Sequence, residues 1–140
     1  LLEALTGIEA FSGRLAAARA NDDEIAAIVA LHDRMEQEYG RRDRPAYFAT
    51  NLAIHSAIVA ASGNPELVSM HAQLSARSHR PRYSYSSDDT GWLAAMNEHR
   101  FMITSLKARD GAALADVLRR HIELVWARLS RDFMQQEPRV

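Results

Sequence analysis

The sequence predicts an all-α protein that forms a single antiparallel bundle of six or seven helices. Three observations support this fold class. Apolar residues recur at helical spacing along the whole chain, and no stretch alternates apolar and polar residues as a half-buried strand does. The length of 140 residues, with 47% hydrophobic and 25% charged residues, suits one domain with one core. Short connections then favour antiparallel neighbours.

The first two helices are marked by apolar spacing and a capping residue. The first spans about 2–19, with Leu5 and Leu15 on its apolar stripe. Asn21 is a favoured N-cap, and the three acidic residues after it suit the positive end of the helix that follows. Gly40 marks the end of this second helix.

Proline and glycine define the third and fourth helices. Pro45 fits the first turn of the third helix, where its missing N–H costs nothing, and Gly63 ends that helix. Asn64 caps the fourth helix, which has Pro65 at its first position. The fourth helix is predicted to run to about residue 80, where Pro81 breaks it.

The rest of the chain forms two helices after a polar and aromatic segment. The segment 81–90 is predicted to be a loop, and a fifth helix follows over about 90–109. Asp110 lies in the next turn and can cap the sixth helix, which spans about 112–134. The last residues, 135–140, are predicted to be a loose tail.

Composition excludes several functional classes. Cysteine is absent, so disulfides, thiolate metal sites and cysteine nucleophiles are excluded. The net charge of −1 is unlike that of a basic nucleic-acid-binding module. No apolar run reaches the ~20 residues of a membrane span. We therefore expect one domain over 1–134, and a chain that opens at Leu1 without Met is expected to be a fragment.

The histidines are the candidate chemical groups. Five of the six lie on apolar helical stripes: His32, His55, His71, His99 and His121. A buried imidazole needs a hydrogen-bond partner for each ring nitrogen, or a metal ion on one of them. The pattern alone leaves both a metal site and ordinary hydrogen-bonded core histidines open.

Asn51 adds to the metal interpretation. It precedes His55 by four residues, so the two side chains share one helix face about one turn apart. The amide oxygen can join the imidazole around one ion. The alternative is a buried amide with ordinary hydrogen bonds.

Several short segments resemble the FCD ligand-binding domain, the C-terminal effector domain of one branch of GntR-type bacterial transcription regulators. The resemblance covers about 2–128 and includes the opening Ile8-Glu9. Its main segments are 51–55 (Asn-Leu-Ala-Ile-His), 60–67 (Ala-Ala-Ser-Gly-Asn-Pro-Glu-Leu), 98–100 (Glu-His-Arg), 108–110 (Ala-Arg-Asp) and 119–122 (Arg-Arg-His-Ile).

This resemblance implies a bundle of six or seven helices that binds a divalent metal through one Asp or Asn and three His. Position by position, the implied ligands are Asn51, His55, His99 and His121. The remaining histidines match no ligand position and are expected to have structural or surface roles: His32, His71 and His79. Imidazole ligands suit Zn, Ni, Cu or Fe.

Two positions depart from the usual family pattern. Ile54 stands where the family often has Phe, which is a mild change in packing. Asn51 replaces the more common Asp, so the ligand set carries no negative charge and is expected to bind its ion more weakly.

The resemblance also implies a function. The chain is expected to be the effector-sensing domain of a cytoplasmic, homodimeric regulator. A small carboxylate or hydroxy acid would bind at the open metal positions, with Arg77 clamping a carboxylate; a solvated Arg77 is the alternative. DNA would be bound only through an upstream winged-helix domain that is absent from this sequence, and no membrane is involved.

Two other classes of function stay open. Three histidines with an open position also suit a metal-dependent hydrolase. Glu98 adjoins His99 but lies about 100° around the helix from it, so it is expected to point elsewhere, and no general base is evident. The other alternative is a metal-free structural bundle.

Overall fold

Six helices make up the described part of the chain, and no strand occurs there. The computed structural model describes the backbone of residues 1–83 and 89–136 and the side chains of residues 1–78 and 89–128. The helices are α1 (Leu2–Arg19), α2 (Asp22–Gly40), α3 (Arg44–Ala61), α4 (Pro65–Tyr83), α5 (Asp89–Lys107) and α6 (Gly111–Gln136). The all-α prediction is confirmed.

α1 is a central helix of the bundle. It packs against α3, α4, α5 and α6, most extensively against α6, whereas α2 packs mainly against α3 and α5. The core is built from fully buried aliphatic and thioether side chains of five helices: Leu5, Ile28, Met35, Ile54, Ile58, Met96, Met102, Leu106, Leu114 and Leu118. Because α1 touches four other helices, a residue on its buried face can contact side chains from several elements.

The predicted helix starts are confirmed by their capping bonds. The Asn21 side chain accepts from the Glu24 N–H at 2.8 Å, and the Glu24 carboxylate accepts from the Asn21 N–H at 2.9 Å, which is a capping box. The Asn64 side chain accepts from the Leu67 N–H at the start of α4, and the Asp110 side chain accepts from the Ala113 N–H at the start of α6. Gly63 has φ +67°, a left-handed conformation that glycine adopts without strain.

Some boundaries differ from the sequence prediction. α4 continues through Pro81 to Tyr83, so the predicted break at Pro81 is wrong. Only two helical residues follow Pro81, so the helix still ends within one turn of the proline. α5 ends at Lys107, because Arg109 adopts a left-handed φ of 54°.

Parts of two predicted irregular segments lie outside the described residues. Of the predicted loop 81–90, residues 84–88 are not described. Of the predicted tail 135–140, the first two residues belong to α6, and 137–140 are not described. None of the helices in the described ranges combines the length and the hydropathy that a membrane-spanning segment needs.

Gly13 allows α1 to approach α6 closely. A Cβ at this position would overlap the Cδ1 atom of Leu118 and lie 3.2 Å from Cγ of Leu114. Gly7 lies on the same helix, and a Cβ there would meet nothing within 4 Å. The two glycines therefore differ in tertiary packing while sharing a helix interior.

We expect Gly13→Ala to lower the free energy of unfolding and Gly7→Ala to raise it. Overpacking costs ~1–3 kcal/mol, which outweighs the ~1 kcal/mol that alanine contributes to helix propensity. Gly7→Ala gains the propensity without the clash. Denaturant unfolding followed by circular dichroism measures both changes, and an equal gain in both variants would contradict the close α1–α6 packing.

Candidate metal centre

Three histidines from three helices meet inside the bundle. His55 lies on α3, His99 on α5 and His121 on α6, and all three are buried, at 1–4% exposure. One ring nitrogen of each lies within 4.8 Å of those of the other two. The ring centroids of His99 and His121 are 4.5 Å apart, and each lies 5.3–5.4 Å from that of His55. The structure thus brings together three of the four residues predicted as ligands.

The Nδ1 atom of each ring makes a hydrogen bond to a protein oxygen. His55 Nδ1 bonds to the Glu9 carboxylate, and His121 Nδ1 lies 2.6 Å from Oε2 of Glu98. His99 Nδ1 donates to the backbone carbonyl of Ala95 at 2.9 Å. Because Nδ1 is engaged in all three rings, a bond to a metal ion would be made through Nε2.

Two ring nitrogens of the cluster lack a hydrogen-bond partner among the described residues. Nε2 of His55 and Nε2 of His99 are buried and have no hydrogen-bond partner among the described residues. A buried imidazole nitrogen without a partner costs about 1–3 kcal/mol. A metal ion on Nε2 would remove this cost, so the residues present fit the group that the family resemblance implies.

The protonation of His99 also suits a ligand. Burial lowers the pKa of His99 well below its usual value, and the neighbouring His121 and His55 lower this pKa further. The ring is therefore neutral at pH 7, with a lone pair on the nitrogen that carries no proton.

Asn51, the fourth predicted ligand, lies one turn before His55 on α3 and is partly buried. Within the described part of the chain, no residue hydrogen-bonds its side chain. Its amide oxygen therefore has no competing partner there. The donor set of three imidazoles and one amide suits a transition metal such as Zn, Ni, Cu or Fe.

The sequence prediction missed the role of Glu9. This residue lies on α1 and is only 2% exposed. Besides His55 it binds Nε2 of His71 at 3.0 Å, and Ser75 Oγ lies 3.2 Å from the same nitrogen. Burial raises the pKa of Glu9, but His55 and His71 outweigh burial and hold this pKa far below its usual range. Its place one turn after Leu5, on the buried stripe of α1, was the available sequence signal.

The expectation that Glu98 points elsewhere is wrong. Its position on α5, next to His99, turns it toward α6, where it bonds His121. Burial raises its pKa, and Arg128 and Arg120 oppose that shift. Adjacent residues of one helix can therefore serve the same centre when a second helix packs beside them.

Among the described residues, Arg77 and His32 are not members of this cluster. Arg77 is exposed on α4, two residues after the buried Ser75. His32 is buried on α2, and its Nε2 lies 3.9 Å from Glu36. The side chain of His79 is outside the described residues.

Comparison with known proteins agrees with this architecture. A solved chain of E. coli McbR/YncC has a similar fold, with a TM-score of 0.82 at 19% sequence identity. The match covers 92% of the present chain and 62% of that chain, so the present sequence spans less than two thirds of its length. No curated protein sequence matches significantly.

The sequence profile of the FCD domain matches residues 1–124. This range contains all six helix starts and the three clustered histidines. The chain therefore belongs to the FCD domain family.

Proposed function

We propose that this chain is an effector-sensing domain that holds a divalent transition metal through Asn51, His55, His99 and His121. The observation that carries the proposal is the meeting of three buried imidazoles whose outer nitrogens are already bonded. The metal, such as Zn or Ni, supplies a Lewis acid to which an anionic ligand can bind. Family membership supports a regulatory, non-enzymatic role.

The proposed effector is a small carboxylate or hydroxy acid. An uncharged ligand set around a divalent cation leaves positive charge that favours an anion. Arg77 is the proposed clamp for a carboxylate, since a guanidinium binds a carboxylate through two parallel hydrogen bonds. Arg77 lies on α4. The same helix carries His71, which bonds Glu9, and Glu9 in turn bonds His55 of the cluster.

The proposed mechanism is a population shift. An effector that binds one arrangement of the helices more tightly than another changes their equilibrium by that difference in affinity. In a homodimer with an attached upstream winged-helix domain, this change would reposition the DNA-binding surfaces. The ligand side chains come from three helices, so the site can respond to their relative positions.

We expect His99→Ala or His121→Ala to abolish metal retention while helix content survives. Each removes one ligand nitrogen, whereas His32→Ala removes a buried histidine outside the cluster and is expected to retain metal. Elemental analysis of the purified proteins and far-ultraviolet circular dichroism measure the two properties. Metal at 100 times its Kd should stabilise the wild type by about 2.7 kcal/mol. Full metal occupancy in both cluster variants would contradict the site.

Asn51→Asp is expected to tighten metal binding by about tenfold, or ~1.4 kcal/mol. The added carboxylate attracts the cation directly. Asn97→Asp makes the same change of charge at an exposed position of α5 and should leave the affinity unchanged. Calorimetric titration with Zn²⁺ measures both, and an unchanged or weaker affinity in Asn51→Asp would argue against the charge account.

Arg77→Ala is expected to reduce effector binding without affecting the metal. With malate as a small hydroxy-acid probe, the metal-loaded wild type should show a rise in Tm that is smaller in Arg77→Ala. Arg41→Ala removes another exposed arginine and is the control. An equal rise in all three proteins would remove Arg77 from the proposed effector site.

A further inference from the structure

The ligand set proposed above has no negative charge of its own. Asn51 offers a neutral amide oxygen, and three imidazoles bind a cation as neutral rings. A divalent cation among neutral ligands in a buried site is poorly compensated. The balancing charge must then come from groups behind the direct ligands.

Two carboxylates lie directly behind two of the ligand rings. Glu9 reaches His55 from α1, and Glu98 reaches His121 from α5. Both contacts are made to the Nδ1 atom of the ring. The third ring, His99, bonds only to the neutral backbone carbonyl of Ala95. The two carboxylates together carry the charge needed by one divalent cation.

Glu9 depends on neighbouring histidines for its compensating positive charge. Its side chain is 2% exposed, and among the described residues its ion-pair partners are His55 and His71. Neither is a permanent cation, unlike Arg or Lys. A buried carboxylate without a compensating cation is strongly destabilising. The inner side of His55, where the three rings meet, is a position from which a bound cation would compensate it.

We infer that Glu9 and Glu98 are positioning residues of the metal centre, which rests on the metal binding proposed above. They fix the His55 and His121 rings with Nδ1–H outward and Nε2 inward, and they supply the negative charge that Asn51 lacks. A carboxylate on the outer nitrogen also makes the ligand nitrogen more basic. The affinity of the centre is therefore set largely by residues that never touch the metal.

The variants Glu9→Gln and Glu98→Gln each remove the negative charge of one side chain while keeping its size and shape. Glutamine has the same size, and its amide oxygen still accepts from the histidine Nδ1–H. At position 9, the amide NH₂ can donate to His71 Nε2, so both bonds of Glu9 survive. The matched control is Glu38→Gln, which neutralises a carboxylate that is 6% exposed and pairs with Arg34 on α2.

Calorimetric titration of the metal-free chain with Zn²⁺ measures the affinity of each variant. We expect Glu9→Gln and Glu98→Gln each to weaken binding by about 10–100-fold, and Glu38→Gln to bind as the wild type does. Titration with Co²⁺ adds a spectroscopic readout. The visible spectrum of the Co²⁺ complex should be the same in wild type and both glutamine variants, because the direct ligands are unchanged, and should differ in His99→Ala.

A rescue experiment distinguishes a charge role from a purely structural one. Asn51→Asp returns one negative charge to the centre. Combined with Glu9→Gln, it should raise the Zn²⁺ affinity by more than it does in the wild-type background, because the centre then lacks the charge of Glu9. If Glu9 acts only by packing, the double variant will gain no more than Asn51→Asp gains alone, and the charge role is overturned.

The outcomes separate this inference from the proposed function. If wild type binds Zn²⁺ and both glutamine variants bind it equally well, the inference is wrong and the metal site stands. If the wild type binds neither Zn²⁺ nor Co²⁺, the metal proposal fails and the inference with it. Circular dichroism checks folding, and should Glu9→Gln not fold, Glu98→Gln alone decides.

Discussion

The central constraint on this bundle is that each buried imidazole must have both ring nitrogens satisfied. Helices α3, α5 and α6 bring His55, His99 and His121 into a region that is almost fully excluded from solvent. The protein satisfies the outer nitrogens with two carboxylates and a backbone carbonyl. One ring nitrogen of each histidine lies within 4.8 Å of those of the other two, and imidazole nitrogens are common ligands of transition metals.

α1 connects this centre to the rest of the fold. Its Gly13 allows close packing on α6, while Glu9, one helical turn earlier, reaches His55 on α3 and His71 on α4. A charged residue on the buried face of the most central helix is costly unless it has polar partners. The two histidines on neighbouring helices supply them, so the polar network and the apolar packing of α1 depend on each other.

The sequence predicted most of the helices because the signals that end and begin them are local. Asn21, Asn64 and Asp110 cap the helices as their positions indicated. The break predicted at Pro81 is wrong because proline disfavours continuation of a helix without setting its last residue, and α4 continues for two residues beyond it. Periodicity placed five histidines on apolar stripes. The family resemblance, rather than periodicity, selected the three that the structure brings together.

The sequence by itself determined the fold class, the family and the residue types of the centre, because helical spacing and short motifs are properties of neighbouring residues. Only the tertiary structure decided that Glu9 and Glu98 bond the rings from behind. Both contacts join residues on different helices, at separations of 46 and 23 positions. Such pairs depend on how the helices pack, and no local pattern in one sequence records that.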